Sequence, residues 1–147
     1  MSGHSLINCW IHLVWGTKER FPYFANPEMA KECKFIILDI CKTNKYKLRE
    51  LYINPEHVHA LIKLDANDSL KQVVQKLKGI SSNAINKRFF SGKFKWAEKY
   101  AAFSVSPNVA DKVINYIKNQ KEHHRVKSFA EEWELFFKEY EKEYGTH

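Results

Sequence analysis

Two helix-length apolar stripes set between extended segments constrain this chain more than any other feature. From Pro27, which suits a first helical turn, Met29, Cys33, Ile36, Ile37, Ile40 and Cys41 recur at helical spacing to about residue 44. The second stripe, Leu70, Val73, Val74, Leu77, Ile80, Ala84 and Ile85, follows a capping Ser69 and runs to about Arg88. Gly79 lies inside it, where a glycine weakens or bends a helix. Around the stripes, segments 6–15, 46–53, 57–64 and 100–105 are rich in β-branched and aromatic residues and read as strands. The middle two are joined through Asn54-Pro55 as a hairpin. A helix over about 108–124 and a final acidic helix over about 129–144, carrying Trp133, Phe136 and Phe137, complete the order.

Strand, helix, strand, strand, helix, strand is the ferredoxin-like order: an α+β fold with a four-stranded antiparallel sheet and helices packed on one face. C-terminal helices follow it. At 147 residues and 44% hydrophobic content, the chain suits one domain over 1–147, with a core over about 5–125. No apolar run approaches the roughly 20 residues of a membrane span, and the amino terminus lacks a secretion-signal pattern, so a soluble, cytoplasmic protein is expected. Cys9, Cys33 and Cys41 are odd in number and scattered, which argues against a disulfide framework or a zinc knuckle and for small buried apolar residues. This fold hosts many activities, so function has to be read from particular side chains.

The strand over 57–64 opens with His57-Val58-His59. Side chains alternate along a strand, so both imidazoles emerge from one face and can converge on one ion. By itself such a pair is equally the mark of ordinary polar strand residues. The later helix adds a second constellation, since Tyr116 and Gln120 are four apart and share a face. Its start is signalled by Ser106-Pro107-Asn108, with Asn108 as cap and Asp111 answering it. If this helix packs beside the hairpin, Gln120 brings an amide oxygen to an ion held by His57 and His59, and Tyr116 stands one turn away. All three donors are neutral, so the ion keeps its full charge for a phosphodiester; oxygen and imidazole together fit Mg²⁺ or Mn²⁺.

Net charge is +7, and it is uneven. Lys71, Lys76, Lys78, Lys87, Arg88, Lys93, Lys95 and Lys99 crowd the middle, while Glu131, Glu132, Glu134, Glu139, Glu141 and Glu143 load the tail. The middle is a candidate polyanion surface. Phe89, Phe90, Phe94, Trp96 and Tyr100 are interleaved with it; they suit stacking on unpaired bases and suit core anchoring equally well. Lys76, Lys78, Lys87 and Arg88 are the candidate contacts to a DNA backbone, with His123 and His124 as phosphate ligands or helix-end cations.

The His-hydrophobic-His strand, the helix Tyr116-Ile117-x-Asn119-Gln120-x-x-His123-His124, the preceding Ala102-Phe103-Ser104-Val105-Ser106 and the early His12-Leu13-Val14-Trp15 together resemble the single-tyrosine HUH transposases. These are the small IS-two-hundred-like enzymes of insertion sequences that move as single-stranded DNA. The likeness runs in order from about Asn8 to His124, with Lys99-Tyr100-Ala101 where the family commonly has Gly-Tyr-Gly. It implies Tyr116 as nucleophile, His57, His59 and Gln120 as metal ligands, a 5′-phosphotyrosine intermediate, recognition of subterminal DNA hairpins, and a homodimer. The nearest alternatives keep the chemistry in a domesticated relative or a replication-initiator-like nickase; from other classes come a non-catalytic binder of single-stranded nucleic acid and a phosphodiesterase using activated water. No general base is assigned: Glu56 is expected on the face opposite the histidines, and His123 lies two turns from Tyr116.

Overall fold

The computed structural model describes residues 6–89, 92–120 and Glu131. Expectations for Phe90, His123, His124 and the acidic helix over 129–144 lie outside those residues or, at Glu131, rest on one residue alone. The order is β1 (Cys9–Thr17), two short 3-10 turns, α1 (Pro27–Thr43), β2 (Lys47–Ile53), β3 (His57–Leu64), α2 (Leu70–Arg88), β4 (Trp96–Val105), a 3-10 turn (Pro107–Val109) and α3 (Ala110–Lys118). The sheet has four strands in the order β2-β3-β1-β4 with every neighbouring pair antiparallel, the ferredoxin-like topology.

Strand alternation divides the interior into two layers. Leu13, Trp15, Leu51, Val58, Ala60 and Ile62 face α1 and α2, meeting Ile37, Ile40, Val73, Leu77 and Ile85 in the main core. The opposite face carries His12, His57, His59 and Leu61, and α3 lies on that side, burying Ile117 against Leu61 and Val105. Ion pairs of Arg49 with Asp111 at 3.7 Å and of Lys118 with Glu50 at 4.0 Å tie both ends of α3 to β2. Exposed pairs of this kind contribute little each, so apolar burial is what holds α3.

Local chemistry explains the helix ends. Ser69 Oγ accepts from the Gln72 amide and Asn26 Oδ1 from the Glu28 amide, both as N-caps. The capping box expected at Asn108 and Asp111 does not form: Ser106 Oγ donates to Asn108 Oδ1 at 2.6 Å, and Asp111 turns to Arg49 instead. The chain consequently enters α3 through a 3-10 turn, and the helix starts at Ala110. β4 also begins earlier than its apolar pattern suggests, at Trp96, because Trp96 pairs with Thr17 beyond an irregularity in which β4 carries the extra residues. The aromatics thought to interleave with lysines divide accordingly. Phe94 and Trp96 are buried against Trp15 and Phe24, so these two are core anchors and not a stacking platform. Cys33 and Cys41 are buried as expected, whereas Cys9 is exposed at the head of β1.

Candidate active site

β3 places His57 and His59 on one face, and both are fully buried, with the Tyr116 ring of α3 against His59. Their Nε2 atoms lie 3.1 Å apart. Two nitrogens bound at right angles to one ion at about 2.1 Å would be about 3 Å apart, so the pair has the bite of two neighbouring ligands. Gln120, just past the end of α3, is also fully buried. Its Nε2 donates to the Tyr116 carbonyl at 3.2 Å, one of the oxygens that a helix end leaves without an intrahelical partner. That contact turns Oε1 toward the histidines. Asn54 Nδ2 donates to this oxygen at 3.2 Å and lies 3.1 Å from His57 Nε2, so an N–H points between two of the three candidate ligand atoms.

The outer contacts orient the rings. Glu56 Oε1 accepts from His57 Nδ1 at 3.0 Å, which leaves the lone pair of that ring on Nε2, facing His59. The expectation that Glu56 points away from the histidines is therefore corrected. It sits in the turn before β3, where alternation does not yet apply, and the turn is held by Thr17, whose amide donates to the Glu56 carbonyl at 2.9 Å. On the other side, His59 Nδ1 meets His12 Nε2 of β1 at 2.8 Å. The Tyr116 ring stands edge-on to His59 at 5.7 Å and to His12 at 6.1 Å, half-buried at the margin of the site. Among the described residues no group of three His, Cys, Asp or Glu side chains is placed to hold an ion.

His57, His59, Gln120 and Tyr116 are thus brought together. The candidate DNA contacts are not part of this cluster. Lys76, Lys78, Lys87 and Arg88 belong to α2, which packs on the opposite face of the sheet. Lys78 Nζ donates to the Ala97 carbonyl at 2.6 Å and the Glu98 carbonyl at 3.0 Å, and desolvation lowers its pKa, so this lysine braces β4. Arg88 pairs with Glu32 of α1, Lys76 Nζ reaches Asn44 Oδ1 at 3.3 Å, and Lys87 is exposed. Asn54 is the residue that sequence reasoning missed outright. Its signal was its place three residues before His57 in a tight turn, where its amide donates to the His57 carbonyl at 2.8 Å and the two side chains are forced together.

A ferredoxin-like sheet carrying a histidine pair, with a tyrosine helix laid across them, defines a class that comparison with known proteins makes specific. The family model described as "Transposase IS200 like" matches residues 5–120. The chain belongs to the IS200-like transposase family. It is similar to the ISDra2 transposase TnpA of Deinococcus radiodurans, 27% identical over 116 residues that span 74% of this chain and 81% of that one. A crystal structure of a candidate transposase from Deinococcus radiodurans R1 superposes with a TM-score of 0.64 at 28% identity, covering 82% of this chain and 95% of the other. The structure of a REP-associated tyrosine transposase bound to a REP hairpin shares the fold, with a TM-score of 0.62 at 13% identity over 84% of this chain and 74% of that one.

Proposed function

We propose that this transposase nicks and rejoins single-stranded DNA through Tyr116, using Mg²⁺ or Mn²⁺ held by His57, His59 and Gln120. The observation that carries this reading is the 3.1 Å approach of two buried imidazole Nε2 atoms with the Tyr116 ring 5.7 Å from one of them. A divalent cation there supplies charge to polarise the scissile phosphate. Neutral donors suit that task because they leave the charge of the cation undiminished. Glu56 and Asn54 fix His57, the Tyr116 carbonyl fixes Gln120, and Ile117 anchors the helix that presents the phenol.

In the reaction the Tyr116 oxygen attacks phosphorus in line, losing its proton; the bond from phosphorus to the 3′ oxygen breaks, and that oxygen leaves as a 3′-hydroxyl after taking up a proton. The 5′ end stays on Tyr116 as a phosphotyrosine diester. A second 3′-hydroxyl reverses the step and joins strands with no nucleotide cofactor. A non-catalytic binder would need an open sheet face, and here α3 packs on Leu61 and Val105 of the face that carries the histidines. Hairpin-bearing DNA as substrate is supported by family membership and by the hairpin on the REP-associated neighbour. A homodimer supplies two such sites for the two ends of an element. Among the described residues no helix is long and apolar enough to cross a membrane.

The test is incubation with labelled single-stranded hairpin DNA, taken from the flanks of the source gene, and Mn²⁺. A denaturation-resistant protein–DNA adduct is expected from the native chain and none from Tyr116→Phe, with hairpin binding retained. Cleavage without an adduct would replace Tyr116 by activated water and overturn the reading.

A further inference from the structure

His12 lies buried on β1 beside the histidine pair, yet none of the chemistry above uses it. It sits at the middle of β1, buried, with its ring stacked on His59 at a centroid distance of 5.1 Å and an interplanar angle of 30°. Phe103 of β4 lies against its flank at 6.3 Å, so the ring is held on both sides. The 2.8 Å contact between His12 Nε2 and His59 Nδ1 is short enough for one proton to lie between them, and its direction decides what His59 can do.

If His12 Nε2 donates, His59 carries its own proton on Nε2 and directs it at His57 Nε2, 3.1 Å away. His59 then has no lone pair for an ion. If His59 Nδ1 donates, its Nε2 is bare and converges with that of His57. The two arrangements hold the same number of protons and differ only in tautomer. We propose that His12 is a positioning residue for the metal site: it accepts the Nδ1 proton of His59 and so holds that imidazole in the tautomer that can ligate a cation. Glu56 performs the same service for His57, but a carboxylate can only accept, whereas His12 can also donate and so permits the site without a cation to close on itself. This inference rests on the metal-binding reading of His57, His59 and Gln120.

Mn²⁺ binding followed by electron paramagnetic resonance, without DNA, tests it on the full chain. Loss of a partner that orients a metal-bound histidine weakens metal affinity by about 10–100-fold. His12→Phe, which fills the space and cannot accept, is expected to show a loss of that size. His12→Gln, whose amide oxygen reaches the former Nε2 position, is expected to restore most of it. Equal Mn²⁺ affinity in His12→Phe and the native chain would overturn the role of His12 while leaving the metal site standing. Absence of a specific Mn²⁺ site in the native chain would overturn both. Should His12→Phe fail to fold, nitrogen-15 spectra of the histidine rings in the Mg²⁺-loaded native chain decide: the His59 proton is expected on Nδ1, and finding it on Nε2 would contradict the inference.

Discussion

At the scale of single residues, the site was legible where one periodicity governs and illegible where two elements meet. His57 and His59 share a face by strand alternation, and Tyr116 and Gln120 by helical spacing, so each pair could be found from its own segment. Asn54, Glu56 and His12 act through a turn geometry and a cross-strand contact, which no local period encodes. The lysines show the converse: composition marked Lys78 as a DNA contact, but its ammonium is held by two β4 carbonyls. Lys78→Gln is therefore expected to lower the urea midpoint and leave hairpin affinity and its salt slope unchanged; a salt slope reduced by about one would restore Lys78 to the DNA surface. A buried donor gives a second expectation. Trp96 Nε1 donates to Ser81 Oγ at 2.9 Å, and both side chains are buried. Ser81→Ala strands that N–H and is expected to cost about 1–3 kcal/mol in denaturant unfolding, whereas an unchanged midpoint would mean that the indole finds another acceptor.

At the scale of elements, the two helices of the main core and the β2–β3 hairpin follow their sequence patterns closely, and the departures have local causes. β4 extends back to Trp96 because Trp96 pairs with Thr17; Ala97, Glu98 and Lys99, residues of poor strand propensity, lie in the register shift between that pair and Trp15–Tyr100. α3 starts late because its expected cap bonds elsewhere. The end of α1 carries a conflict of its own. The Tyr46 amide donates to the Cys41 carbonyl at 2.8 Å and the Lys45 amide to the Lys42 carbonyl at 3.2 Å, the paired bonds of a Schellman motif, with Lys45 at φ 58° where glycine is preferred. Lys45→Gly is expected to stabilise the fold by about 1 kcal/mol by relieving that left-handed conformation. Gly79, inside α2, is the opposite case: a Cβ there meets nothing within 4 Å. Gly79→Ala is expected to add about 0.5–1 kcal/mol, and a loss in either variant would show that the backbone at that site is required as it stands.

At the scale of the whole molecule, the sheet separates a packing side from a chemical side. α1 and α2 bury one face, α3 and the histidines occupy the other, and the positive charge of α2 is carried away from the site. The packing side also shapes the response to alkali. Burial pushes the Cys41 thiol up to about 11 from an ordinary 9.0, and the Cys33 thiol higher still. Folded thiols with raised pKa hold protons that the unfolded chain releases, so their contribution is intact below pH 9.0 and is lost from there toward about 11. Lys78, lowered by desolvation, works in the opposite sense, so the expectation is a difference between proteins. Over that window the urea midpoint of Cys41→Ala is expected to fall less than that of the native chain; parallel profiles would show that the thiol ionises freely when folded. The central claim is that one phenol, carried by α3 to the histidines of its own sheet, becomes covalently attached to DNA. It is tested most directly by digesting the protein–DNA adduct with trypsin and nuclease and weighing the peptides. The account predicts a nucleotide phosphate on the peptide spanning 113–118, whose single tyrosine is Tyr116; finding that mass on any other peptide would contradict it.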